Sequence, residues 1–194
     1  MKTIKTIKTM KTMKTMKFLA VFFISSLLLT SCSSNDDDAE DPNEEELITT
    51  VTYTLTNGGD VVTLKFTDLD GEGGSDGTYA ISGPLTAGST YTGAIMLENE
   101  TESPVENVTE EIEEEDDEHE FFYTSTVSGL TINKTDQDDN GNPVGLQTSL
   151  VTGNAGTGTI TVVLKHEPTK PNNGTSADAG GSTDIEVTFS VTVQ

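Results

Sequence analysis

Arginine and tryptophan are absent from this 194-residue chain, and cysteine occurs once, at Cys32. Without arginine there is no planar fork to clamp a carboxylate or phosphate bidentately. A single cysteine excludes a disulfide within one molecule. Positive charge is scarce: the ten basic residues are all lysines, they face 33 acids, and the formal net charge is −23. Binding to nucleic acid is driven by cations that release counterions from phosphates, so no nucleic-acid partner is expected. Catalytic signatures are missing as well. There is no cysteine nucleophile after residue 32, no phosphate-cradling glycine loop and no Ser-His-Asp order with a supporting motif, and the chain reads as a non-enzyme. Hydrophobic residues are 32%, a level that, with high charge, is shared by disordered chains.

The charge is distributed unevenly. Lys2, Lys5, Lys8, Lys11, Lys14 and Lys17 all precede Cys32, and no acid does. Lys-Thr-Ile or Lys-Thr-Met repeats five times between Lys2 and Met16, and a leader beginning at Met16 is complete by itself. The apolar run Phe18 to Leu29 is shorter than the ~20 residues of a membrane-spanning helix. A basic segment followed by a short apolar one is a secretory signal. It ends in Leu29-Thr30-Ser31-Cys32, which resembles the lipobox of bacterial lipoproteins and implies lipidation of Cys32. Without residues 1–31 the chain keeps four lysines against all 33 acids, a net charge of −29.

Residues 32–46 are polar and acidic and read as a self-repelling tether. Asp36–Asp38 resembles the acidic export signal that sends some lipoproteins to the outer face of the cell. The expectation is an outer-membrane lipoprotein, held in the membrane by its lipid and facing either the cell surface or the periplasm.

From residue 47 onward the disorder reading fails. Ile185, Val187, Phe189, Val191 and Val193 alternate strictly with polar residues, as do Val51, Tyr53 and Leu55. Tyr91 to Leu97 and Ile160 to Lys165 repeat the pattern, and period two marks a half-buried strand. Further strands are expected over 62–68, 78–82, 120–127, 130–135 and 146–152. Clusters such as Asn57-Gly58-Gly59-Asp60 supply the hairpin turns. Eight to nine short strands predict an all-β, antiparallel sandwich or barrel-like domain over 47–194. One short helix is expected near 104–113, starting at Ser103-Pro104 with Val105, Val108 and Ile112 on one face.

Three groups carry candidate chemistry. Asp136, Asp138 and Asn140, followed by Gly141, match the first half of a calcium loop. Asp68, Asp70 and Asp76 form a looser version. Bound Ca2+ is one expectation for both, and a polar hairpin loop built from turn-forming residues is the other. The two histidines each neighbour glutamates: Glu118-His119-Glu120 and His166-Glu167. By parity His119 shares a face with Phe121, and His166 with Leu164. If the two strands are antiparallel neighbours, the imidazoles meet at one end of the sheet. With a carboxylate they then suit Zn2+ or Cu2+; otherwise they are two strand ends in solvent. In Phe121-Phe122-Tyr123 one ring must face the other way, which makes Phe122 the candidate contact for a glycan or protein partner; the other reading is burial under the helix.

The tract Glu118 to Tyr123, the loop 136–143 and Leu164-Lys165-His166-Glu167-Pro168 resemble a group of small bacterial lipoproteins. These are often labelled "type 1 periplasmic binding fold superfamily". The resemblance implies an envelope binding role, in some members as an accessory to a TonB-dependent outer-membrane transporter. That label implies a two-lobed α/β fold, whereas the residues here read all-β.

Overall fold

A computed structural model of the chain describes residues 46–71 and 76–194. Cys32, the leader and tether residues 1–45, and Glu72 to Ser75 of the second acidic loop lie outside the described residues.

The alternating segments form strands. One sheet contains β1 (Thr50–Asn57), β2 (Asp60–Thr67), β3 (Thr78–Ile81), β4 (Thr90–Glu98), β6 (Thr131–Lys134) and β7 (Gln147–Val151). The other contains β5 (His119–Ser125), β8 (Gly156–His166) and β9 (Ser182–Val193). Their orders are β3-β2-β1-β4-β7-β6 and β5-β8-β9, with every neighbouring pair antiparallel. The nine strands make a sandwich of two open sheets, not a closed barrel.

The core lies between the sheets, because each strand turns only one face inward. Val51, Tyr53 and Leu55 of β1 are fully buried, as are Phe121 of β5 and Ile160 and Leu164 of β8. Tyr53 and Tyr123 meet across the gap with ring centroids 5.5 Å apart. The Tyr53 hydroxyl shares a 2.6 Å hydrogen bond with Thr148 Oγ1. Burial pushes the Tyr53 phenol up to about 12, and the Thr148 bond only tempers that rise. Gly93 makes room for this pair: a Cβ there would lie 2.3 Å from Thr148 Oγ1 and 2.7 Å from the Tyr53 ring. Gly93→Ala is therefore expected to destabilise by about 1–3 kcal/mol, the range for overpacked cores. Urea unfolding checks this; an unchanged midpoint would mean that the pair yields freely.

Two expectations need correction. The helix does not start at Ser103-Pro104. Asn99 and Glu106 exchange backbone hydrogen bonds of 3.1 and 3.2 Å, which holds 100–105 in a turn. Helix α1 (Val108–Glu114) begins after it, with Asn107 at the N-cap. Val105 is left exposed, while Val108 and Ile112 stay buried. Thr109 fastens α1 to β4, its Oγ1 accepting from the Leu97 N–H at 2.7 Å.

Phe122, expected as an exposed contact, is 3% exposed. It does face away from the main core, but the segment after β8 folds back over it. That segment carries a second short helix, α2 (Ser176–Ala179), whose Ala179 packs with Phe122 and Val163. The Lys134 ammonium sits 4.2 Å from the Phe122 ring centre, a cation–π contact that closes the remaining side. Phe122 is thus a satellite core residue, not a docking surface.

Candidate metal centre

The two histidines meet. His119 opens β5, His166 closes β8, and the register places them directly opposite each other. Their ring centroids are 4.7 Å apart. Both are buried, His119 completely. A third strand adds a carboxylate at the same end of the sheet. In the β8–β9 ladder Leu164 pairs with Ile185 but Lys165 pairs with Thr183, so Asp184 is the extra residue of a β-bulge. Bulges re-aim side chains, and this one brings Asp184 to the histidines although strict alternation puts it with the outward-facing Glu186.

The fourth group comes from the other side. Glu46, just ahead of β1, reaches across so that Oε1 lies 2.9 Å from His119 Nε2 and Oε2 lies 3.7 Å from His166 Nδ1. One ligand atom from each of Glu46, His119, His166 and Asp184 falls within 4.8 Å of the others. A tetrahedral shell with bonds of about 2.0–2.2 Å needs only a modest contraction of that spread.

Second contacts orient the ligands. His119 Nδ1 lies 3.1 Å from the Glu115 carbonyl oxygen just past the end of α1. A carbonyl there takes an N–H and leaves Nε2 for the cluster, the arrangement usual for a metal-binding imidazole. His166 differs: both ring nitrogens are buried without a hydrogen bond. Desolvation pushes His119 down, but the Glu46 hydrogen bond and charge, the Glu115 carbonyl and the charge of Asp184 outweigh it and hold His119 above its ordinary value. Burial likewise pushes Glu46 up, and bonding and attraction from His119, with its own backbone N–H and His166, bring it below the usual carboxylate range. The site concentrates negative charge around two imidazoles, as a cation requires. Glu46 and Asp184 also line a cleft of about 750 Å³ that Asp68, Asp70 and Glu186 share.

The remaining acids divide. Glu118 and Glu167 flank the histidines and are exposed. Glu120 does not join the site; it faces the other side of β5, where Lys134 and Asn172 bond its carboxylate. In the 136–142 loop the carboxylates are engaged by the chain itself. Asp136 accepts from the N–H groups of Gly145 and Gln147 at 2.9 and 3.1 Å. Asp138 is buried and accepts from the N–H groups of Asn140 and Asn142 and from Lys170. Burial raises Asp138, yet the Asn142 bonds and Lys170 bring it below its ordinary value. Asn140 is exposed at the tip. Asp68 accepts from the N–H groups of Asp70 and Gly71, and Asp76 is exposed on the far side of that loop. Asp68, Asp136 and Asp138 thus serve as turn formers. Sequence reasoning missed Glu46 and Asp184 as partners of the histidines.

No family model, no curated protein and no solved structure matches this chain.

Proposed function

We propose that the protein is a zinc-binding lipoprotein of the bacterial envelope, anchored through Cys32. In this reading it captures Zn2+ between His119, His166, Glu46 and Asp184 for an outer-membrane transporter. One observation carries the metal: two buried imidazoles placed opposite each other across a strand pair, beside two half-buried carboxylates. Nitrogen donors disfavour Ca2+ and Mg2+, which take oxygen ligands. Two imidazoles and two carboxylates suit zinc, with Cu2+ as the competitor by intrinsic affinity. Four protein ligands fill a tetrahedral zinc and leave no open position for substrate, which favours binding over catalysis. The lipobox and the acidic residues 33–46 support the envelope address.

Calorimetric titration of the full chain tests the reading. One tightly bound Zn2+ is expected, undisturbed by millimolar Ca2+, and His119→Ala/His166→Ala should weaken binding at least ~100-fold. Equal affinity in wild type and double variant would sink it.

A further inference from the structure

His166 belongs to two clusters. Besides the inner four, one of its ring nitrogens and one carboxylate oxygen from each of Glu118 and Glu167 lie within 4.8 Å of one another. The two glutamates are exposed, whereas His166 is 3% exposed and neither of its ring nitrogens has a hydrogen bond. An imidazole carries two diverging nitrogens and at most one proton when neutral. Nδ1 stands toward Glu46 at 3.7 Å. The backbone holds the outer pair together: the Glu167 N–H donates to the Glu118 carbonyl at 2.7 Å.

We infer that Glu118, Glu167 and His166 form an outer zinc station that receives the ion from solvent and passes it to the buried site. This rests on the zinc reading of the inner cluster. A hydrated divalent ion cannot enter a buried site without exchanging water for ligands one at a time. Two exposed carboxylates provide the first exchanges at the surface. The His166 ring then borders both shells, and Glu118 and Glu167 are replaced around it by His119, Glu46 and Asp184. No bond of the protein is broken and no electron moves; water and any imidazole proton leave to solvent.

The alternative entrance is the cleft beside Glu46 and Asp184, with Glu186 on its wall. Stopped-flow zinc uptake by the full chain, read with a competing fluorescent chelator, separates the two. Glu118→Gln/Glu167→Gln should slow loading on the order of tenfold, the lower end of electrostatic capture effects. Its final affinity and melting temperature should stay near wild type, and Glu186→Gln should load at the wild-type rate. A second arm disables the inner site with His119→Ala/Glu46→Gln. This variant should retain weak Zn2+ binding, about 100-fold below wild type, that disappears when Glu118→Gln/Glu167→Gln is added. Unchanged loading in the outer variant, or slowing by Glu186→Gln alone, overturns the outer station and leaves the zinc site standing. Absence of zinc binding by the wild type overturns both.

Discussion

Zinc at a hundredfold excess over its dissociation constant should stabilise the protein by about 2.7 kcal/mol, which for a domain of this size raises the melting temperature by roughly 5–10 °C. The sharper expectation concerns the metal-free state. His166 is buried with both ring nitrogens unbonded, and a buried polar group left without a partner costs about 1–3 kcal/mol. Glu46 and His119 form a pair in which Glu46 is 8% exposed and His119 not at all. Replacing such pairs by apolar residues is commonly neutral or stabilising by about 1–4 kcal/mol. The variant Glu46→Leu/His119→Leu/His166→Leu/Asp184→Asn, which removes the charge of Asp184 together with its partners, should therefore melt at or above wild type in the presence of a chelator and ignore zinc entirely. That crossing, more stable empty and unresponsive when challenged, marks residues kept for a ligand and not for the fold. A fourfold variant that melts well below the chelated wild type would show instead that the cluster is a structural ion-pair network. Differential scanning calorimetry with and without zinc reads both arms.

The second large effect is expected at Gly181, which is not a ligand. Its φ is +67°, and a Cβ built there would lie 2.1 Å from the His166 carbonyl oxygen and 2.9 Å from the Glu167 backbone. The neighbouring Gly180 has φ +69° but open space around the same position. At φ +69° and ψ −145° Gly180 occupies a region essentially reserved for glycine, where strain costs about 1–3 kcal/mol, so Gly180→Ala should lose roughly that. Gly181→Ala adds a collision with backbone that has no flexible end to give way, and the loss should exceed about 3 kcal/mol. Because the clash falls on His166 itself, zinc affinity should drop with it, on the order of 10- to 100-fold, as when the supports of a metal ligand are removed. Comparing the two alanine variants by urea unfolding and zinc titration isolates the collision. Equal losses at both positions would mean that the end of β8 moves aside without disturbing the site.

All nine strands were legible because the hydrophobic effect writes one-sided burial as alternation, and Thr, Val and Gly punctuate it in this chain without ambiguity. The meeting of His119 and His166 was legible as a conditional: parity put both on inner faces, and only the pairing of β5 with β8 was missing. The carboxylate partners were hidden for two physical reasons. Asp184 obeys the alternation of β9 in sequence, and a single unpaired residue opposite Leu164 and Lys165 reverses its direction. Glu46 closes an acidic run that reads as solvated tether, and nothing local distinguishes it from Glu44 or Glu45. Phe122 was misplaced because its face is covered by residues 167–181, some fifty positions later in the chain. The start of α1 shifted because the Asn99–Glu106 bridge competes with an otherwise good capping pattern at Ser103.

The order of strands in the larger sheet has a mechanical consequence. The chain enters it through β1, which lies inside the sheet with full ladders to β2 and β4 on either side. A pull on the N-terminal side of Thr50 runs along the strand axis and loads both ladders at once, in shear. Peeling, which breaks hydrogen bonds one at a time, is open only to the outer strands β3 and β6 of that sheet. A domain held by its N-terminal end is in this way gripped at the element that yields last, and force spectroscopy pulling from residue 46 should meet far more resistance than pulling across the short pairing of β2 with β3.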